Sequence, residues 1–218
     1  MEKIMNQSEV IKVYLDNMRD VKKRILYAES QIDLFNKSEN KFILENAILH
    51  LRKALECIAY ASIAPNKDAY AKFRSDAKKQ TDFRKDYHGG KILEQLEKIN
   101  KDFYPLPLAE PELIGDGQWH FDRLSSGYLI KNEYSKLYDR LGKFLHSDNP
   151  WGGDKGYLSF AKDMSENFQK IKLLLQIHVT FVKDEKSIDA FVIDMGSQSK
   201  DVSLIKALPR GEFKIEYA

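Results

Sequence analysis

Apolar residues recur at helical spacing through most of positions 8–178, and this periodicity restricts the possible folds more than any other feature. Positions 41–63 form the most apolar segment. The same spacing among Lys, Arg and Glu predicts further helices at 8–35, 128–151 and 157–177. Helices of this kind bury one face against each other and expose the charged face. The sequence therefore predicts a mainly α-helical fold, a helical bundle.

The pattern changes near position 178, where β-branched and aromatic residues become frequent. Two such runs, 179–182 and 188–193, surround a short polar stretch and predict an antiparallel hairpin. Positions 202–205 and 213–217 have the composition of two more short strands. We therefore expect a small antiparallel sheet after the helical segments.

All the predicted strands lie in the C-terminal fifth of the chain. This divides the chain into a helical bundle domain, residues 1–177, and a small β appendage packed on it, residues 178–218.

Before that boundary, positions 104–122 are expected to be irregular, because three prolines and two glycines exclude a regular helix. A loop of this length in a compact domain often covers a pocket.

Composition indicates an ordinary globular protein, because 43% of the residues are hydrophobic and 31% are charged. The formal net charge of +2 provides no strong field that would draw the chain to nucleic acid or a membrane. No stretch approaches about 18 consecutive apolar residues, so no membrane span is expected. The single cysteine, Cys57, excludes an internal disulfide, and the charged N-terminus does not fit a signal peptide. We therefore expect a cytoplasmic protein.

Basic and aromatic residues are interleaved in positions 67–101, which are predicted to form two short helices joined at Gly89–Gly90. The segment has ten Lys or Arg residues against six Asp or Glu. Cations that contact phosphates, with rings on which bases stack, are typical of surfaces that bind single-stranded nucleic acid. A solvated helix with aromatic residues in the core would give the same pattern, so both interpretations stay open.

The helix predicted at 128–151 ends in a group of polar residues. Asn132 is expected to cap its start, and Pro150 is expected to stop it. The hydrogen-bonding residues near that end are Arg140, His146, Ser147, Asp148 and Asn149. Few other places in the chain combine so many such groups with a titratable histidine, which makes this helix end the candidate functional site.

A polar edge on the helix predicted at 41–63 carries Glu45, Arg52 and Glu56. Arg52 and Glu56 are four residues apart and can pair on one helix face. They are either a flanking salt bridge or a polar edge turned toward the site helix, where they and Lys143 would form an RNA-binding surface.

Motifs of the common cofactor and metal enzymes are absent from the sequence. It has no phosphate-binding glycine loop, no dinucleotide fingerprint and no His/Cys cluster with zinc spacing. We therefore expect neither a cofactor nor a metal.

The Arg140–x5–His146 element, within DRLGKFLHSDNPW, resembles the recurring motif of the HEPN superfamily, whose members are helical-bundle domains. The segment LRKALECIAYA is similar to the long apolar helix that precedes the motif helix in those proteins. The resemblance covers roughly residues 8–178. It implies a metal-independent endoribonuclease of the toxin or phage-defence type. The alternative is a non-catalytic binding or dimerisation module of the same fold.

The resemblance also implies roles for the residues at the site. An imidazole suits proton transfer, so His146 would be the base or acid. Arg140 would contact phosphate through its planar guanidinium. Asp148 or Asn149 would orient the imidazole, and Lys143 would add positive charge.

The spacing of Arg140 and His146 constrains how one site could use both. Six residues on an α-helix turn through about 600°, so the two side chains point roughly 120° apart. Asp139, Lys143 and His146 share one stripe instead. A site that uses both needs either a bent helix end or two copies of the helix that face each other across a dimer. Gly142 would permit a close crossing of two helices, and HEPN proteins commonly form their sites between two subunits, so we expect a homodimer. Besides the second copy, RNA and an antitoxin or defence-system protein are the expected partners.

Overall fold

The computed structural model describes residues 7–77, 81–115, 117–153, 155–183, 188–196 and 200–207. The α-helices are α1 (Gln7–Ser38), α2 (Lys41–Ile63), α3 (Lys67–Ser75), α4 (Gly89–Ile99), α5 (Lys131–Phe144) and α6 (Tyr157–Leu175). The strands are β1 (Leu106–Pro107), β2 (Glu112–Gly115), β3 (Gln118–His120), β4 (Ile177–Lys183), β5 (Ile188–Asp194) and β6 (Ser203–Ala207). The predicted mainly α-helical fold with a small antiparallel sheet is confirmed.

Helices α1 and α2 form a long hairpin that starts the bundle. The turn between them is short, and Glu39 adopts a left-handed backbone conformation there, with φ of 51°. The Asn40 side chain accepts a hydrogen bond from the backbone N–H of Phe42 at 3.0 Å and so caps the start of α2. A turn of this length makes the two helices antiparallel neighbours.

Helix α2 is the centre of the bundle, since α1, α4, α5 and α6 all contact it. Its buried face combines large residues such as Leu51 and Ile58 with Ala47, Ala54 and Ala61. Small residues let neighbouring helices approach closely. The apolar composition predicted for positions 41–63 therefore corresponds to a helix enclosed on most sides.

A pair of stacked tyrosines joins α5 to α2 and α4. The Tyr134 and Tyr138 rings lie parallel, with centroids 6.3 Å apart, and both residues are buried. The Tyr134 hydroxyl donates to the Leu55 carbonyl of α2 at 2.6 Å, which satisfies its buried polar end. A Cβ at Gly89, the first residue of α4, would stand 2.5 Å from that hydroxyl. Gly89 is thus required by close packing.

The four-stranded sheet has the order β1-β4-β5-β6 and is antiparallel throughout. The predicted hairpin is confirmed as β4 and β5, with Val179 opposite Val192. The strand predicted at 202–205 is present as β6. The strand predicted at 213–217 lies outside the described residues.

The prediction that every strand lies in the C-terminal fifth is wrong. Residues 106–107 form β1 and pair with Val179 and His178 of β4. Pro107 is tolerated because β1 lies at the edge of the sheet, where a missing N–H donor does little harm. The hairpin of β2 and β3 adds two more strands to the segment predicted to be irregular.

Both faces of the sheet are covered. Phe191 and Ile193 of β5 belong to the main hydrophobic core that the helices form. Val179, Phe181 and Ala190 form a second small cluster with Leu106 and Leu108. The sheet and the bundle therefore share one continuous core on one side of the sheet.

Helix α1 also packs against the C-terminal part of the chain. The Arg19 guanidinium pairs with the Asp201 carboxylate at 3.1 Å, and the Lys22 ammonium donates to the Lys200 carbonyl at 2.6 Å. Over the described ranges, no helix is both long enough and apolar enough to cross a membrane.

Candidate nucleic-acid interface

The candidate site helix, α5, is shorter than predicted at both ends. It begins at Lys131 after Ile130, which has extended backbone angles and no capping side chain, so the predicted Asn132 cap is wrong. It ends at Phe144, well before Pro150. Residues 145–153, here called the polar loop, follow it. Pro150 therefore lies inside this loop and does not stop the helix.

The Arg140 side chain is held by α6. Its Nη2 donates to Oδ2 of Asp163 at 2.6 Å, and its guanidinium carbon lies 4.9 Å from the centre of the Phe160 ring. An ion pair and a ring contact fix the guanidinium on the α6 side of α5. Arg140 thus joins two helices within one chain.

His146 lies in the polar loop and is exposed. Its backbone carbonyl accepts a hydrogen bond from the Lys155 ammonium. Its imidazole makes no hydrogen bond or ion pair with the residues that the structure describes, and no such contact joins it to Arg140. His146 lies beyond the end of α5, so helix spacing does not set its direction relative to Arg140.

Asp148 is the centre of the polar loop. Its carboxylate pairs with Lys41 at the start of α2 and with Lys155 at 2.9 Å, and it accepts a hydrogen bond from the Tyr157 hydroxyl at 3.0 Å. The Lys41 and Lys155 ammonium groups hold the pKa of this carboxyl well below its usual range. Asp148 therefore ties the loop to α2 and α6, and does not orient His146.

The Asn149 side chain shapes the loop. Its Oδ1 accepts from the backbone N–H of Trp151 at 3.0 Å, while its carbonyl accepts from the N–H of Gly152 at 2.8 Å. This is the local side-chain-to-backbone bonding that asparagine commonly makes in turns. The predicted roles of Asp148 and Asn149 as partners of the His146 imidazole do not occur among the described contacts.

Two large aromatic side chains are exposed at this end of the bundle. Trp151 in the polar loop is 92% exposed, and Phe42 at the start of α2 is 76% exposed. Lys41 precedes Phe42 in the sequence and Lys155 follows the loop that contains Trp151, and both lysines are bound to Asp148 of that loop. Sequence reasoning missed this surface, although a tryptophan between Pro150 and Gly152 in a polar stretch has few core neighbours available to cover it.

Arg52 and Glu56 contact α5, the candidate site helix. This contact is the one expected if they form a polar edge turned toward that helix. The Arg52 guanidinium donates to the Tyr138 carbonyl at 2.9 Å and stacks 3.8 Å from the centre of the Tyr138 ring. It also pairs with Glu56 at 3.6 Å, and Glu56 accepts from the Tyr138 hydroxyl at 2.9 Å. Burial and, to a smaller extent, the hydrogen bond to Glu56 raise the pKa of Tyr138 to about 12. The pair is both a salt bridge and a link between α2 and α5.

Gly142 makes room for Arg52. A Cβ at Gly142 would lie 2.5 Å from Nη1 of Arg52. A second copy of α5 was expected to cross at Gly142. The space there is occupied instead by the Arg52 side chain of the same chain. Lys143, one residue further, is exposed.

His88, which sequence reasoning did not single out, lies at the start of α4. Its Nδ1 accepts a hydrogen bond from the backbone N–H of Lys91 at 3.3 Å, and its ring lies 4.9 Å from that of Tyr138. Its Nε2 is 3.7 Å from Oδ1 of Asp139 on α5. His88 also borders a cavity of about 340 Å³, here called the α4 cavity. The lining residues are Arg74, Lys85, Asp86, Tyr87, His88, Lys91, Ile92 and Gln95.

No group of three or more His, Cys, Asp or Glu side chains in the described part of the chain is placed to hold a metal ion.

Comparison of the chain with models of known protein families, with curated proteins and with solved structures finds no match. The functional inference therefore depends on the side chains and their geometry.

Proposed function

We propose that this chain is a helical RNA-binding module that holds single-stranded RNA on its polar loop. The observation that carries the proposal is the Trp151 ring, which is 92% exposed in a loop tied to Lys41 and Lys155. A single exposed ring is ordinary on a protein surface, so the two lysines bound to the loop are essential to the proposal. A ring beside cations suits a base that stacks and a phosphate that pairs.

The chemistry of the loop favours single-stranded over double-stranded nucleic acid. Only unpaired bases present a free face to a protruding ring such as Trp151. Phe42 and the exposed cation Lys143 extend the same end of the molecule. Stacking of this kind is sequence-tolerant, because every base has a flat face.

Fluorescence anisotropy with labelled single-stranded RNA tests this proposal. Trp151→Ala should weaken binding about 5- to 150-fold, which corresponds to the loss of one stacked base. Trp119→Ala is the matched control, because Trp119 is also exposed but lies in the β2–β3 hairpin. Equal binding by wild type and Trp151→Ala, or an equal loss with Trp119→Ala, would refute RNA binding at the polar loop.

Cleavage of the bound RNA is a second candidate, favoured by the exposed His146 imidazole on the same loop. It would act as the base or acid of a metal-independent endoribonuclease. His146→Ala should then lower cleavage about 10²- to 10⁴-fold without added metal. If the folded wild-type protein binds RNA at the loop but leaves every tested RNA intact, tRNA included, cleavage is refuted. The non-catalytic binding module then remains.

A homodimer is the assembly that such an endoribonuclease requires. Arg140 is held toward Asp163, so a site that also uses His146 would take Arg140 from a second copy. Mixing Arg140→Lys with His146→Ala should then restore part of the activity, because mixed dimers contain one intact site. Light scattering that finds only monomers at micromolar concentration would exclude this arrangement.

Toxin-type activity is testable in cells. Overproduction of an endoribonuclease toxin should arrest growth, and the His146→Ala form should not. A protein partner of the antitoxin or defence type would relieve that arrest when it is produced with the chain. Growth that is equal with wild type and His146→Ala would remove the toxin proposal and leave RNA binding untouched.

A further inference from the structure

The α4 cavity carries positive charge beyond what its one carboxylate neutralises. Asp86 is already shared by Arg74, whose Nε lies 2.9 Å from Oδ2, and by the Tyr70 hydroxyl, which donates to Oδ2 at 2.9 Å. Lys85 and Lys91 are exposed and form no ion pair with the described residues. The lining therefore has two lysines available for an anionic ligand, next to an arginine fixed in place.

Tyr87 gives this cavity a flat face. Its side chain is 73% exposed, while its backbone carbonyl lies 3.3 Å from the Tyr138 hydroxyl at the edge of the α2–α5 contact. A volume of about 340 Å³ is at the lower end of ligand sites, which span about 300–1,000 Å³. Two cations, a ring and this size together suit one nucleotide, with a phosphate and a base to place.

An exposed stripe on α5 connects the α4 cavity to the polar loop. His88, which lines the cavity, lies 3.7 Å from Asp139. Asp139 and Lys143 follow one another at helical spacing on α5, His146 follows in the polar loop, and all three are exposed. At 1.5 Å per residue, Asp139 and Lys143 are only about 6 Å apart along the helix axis, and the polar loop begins two residues after Lys143. A short run of nucleotides can therefore follow this stripe.

We propose that the α4 cavity is a second anchor for single-stranded RNA, which holds one nucleotide by its phosphate on Lys85 and Lys91 and its base on Tyr87. The RNA then continues along the α5 stripe to Trp151. This second anchor rests on the proposed RNA binding at the polar loop. It assigns a binding site to a segment, positions 67–101, whose basic and aromatic pattern had two open interpretations.

The test compares two lysines of the same helix. Lys91→Ala removes a cavity cation, and Lys98→Ala removes another exposed lysine of α4 outside the cavity. With a single-stranded RNA of about ten residues, Lys91→Ala should weaken binding and lower the slope of log K against log salt by about 0.7. Lys98→Ala should leave both unchanged. Tyr87→Ala should weaken binding about 5- to 150-fold.

Length dependence separates the two anchors. A dinucleotide reaches one anchor at a time, so Tyr87→Ala and Trp151→Ala should each cost less with it than with the longer RNA. Wild-type binding that is lost with Trp151→Ala but unchanged by Lys91→Ala and Tyr87→Ala would overturn the second anchor alone. No RNA binding by wild type would overturn both sites.

A free mononucleotide is the other source of the same chemistry. Adenosine monophosphate should compete with the RNA at the α4 cavity, and Tyr87→Ala should abolish that competition. Binding of the mononucleotide in the cavity without any displacement or weakening of the RNA would show a small-molecule site, and would overturn the proposed RNA anchor.

Discussion

The Tyr14 hydroxyl donates a hydrogen bond to Nε2 of His178 at 2.9 Å, inside the contact between α1 and the sheet. Nδ1 of His178 in turn donates to the Leu175 carbonyl at 2.8 Å. With one ring nitrogen accepting and the other donating, the imidazole is neutral in this arrangement. Burial lowers the pKa of His178 to about 4 and raises that of Tyr14.

This buried histidine predicts loss of stability in mild acid. The folded pKa of about 4 lies below the unfolded value of 6.5, so the unfolded chain binds more protons between these values. The contribution of His178 to the free energy of unfolding should be constant above about pH 6.5 and fall by up to roughly 3 kcal/mol as the pH decreases to about 4. Urea denaturation of wild type and His178→Gln across this range measures it. An equally steep pH dependence in His178→Gln would contradict the assignment.

Gly89→Ala should destabilise the fold. The new Cβ would stand 2.5 Å from the Tyr134 hydroxyl, whose ring is buried and bonded to Leu55. Overpacking of this kind costs about 1–3 kcal/mol, measured by thermal or urea unfolding. Gly90→Ala is the control, because its Cβ would meet its nearest neighbours at 3.5 Å, an ordinary contact. If Tyr134→Phe does not relieve the cost of Gly89→Ala, the close contact is not its origin.

Asp86→Ala should cost far more stability than loss of an exposed ion pair. Asp86 and Arg74 are nearly buried, at 11% and 9% side-chain exposure, and Asp86 also accepts from Tyr70. Removing one partner of a buried pair costs about 3–5 kcal/mol. Arg84→Ala breaks the exposed pair with Asp82 and should cost less than about 1 kcal/mol. Equal losses in urea denaturation would contradict this ranking.

Asp148→Asn should strengthen RNA binding at low salt. It removes the negative charge that Lys41 and Lys155 share, so both ammonium groups become available to phosphates. The slope of log K against log salt should become steeper, as anisotropy titrations at several salt concentrations would show. Asp122→Asn is the control, because Asp122 is bound to His120 in a different part of the surface. Weaker binding by Asp148→Asn would mean that the ordered loop matters more than its charge.

The sequence predicted the elements whose residues contact near neighbours in the chain. Apolar spacing over 41–63 found α2, and two β-branched runs found β4 and β5. It could not find β1, because two residues around Pro107 become a strand only when they meet β4, some 70 positions later. Local patterns carry no information on such a pairing.

The candidate site was predicted only in part, for a similar reason. Helix geometry predicted that Arg140 and His146 would not face each other, but His146 lies beyond the end of α5, where that geometry does not apply. Which partner each polar side chain takes depends on distant residues: Asp163 binds Arg140, Lys41 binds Asp148, and Arg52 fills the space at Gly142. The exposure of Trp151 likewise depends on distant residues, because the ring stays exposed only when none of them packs over it.

The contacts of α1 with the far end of the chain have a consequence for synthesis on the ribosome. The α1–α2 hairpin can form as soon as both helices have emerged, because its contacts are local. Tyr14, by contrast, must wait for His178, and Arg19 must wait for Asp201. The first half of α1 therefore reaches its final contacts only after the sheet has been synthesised.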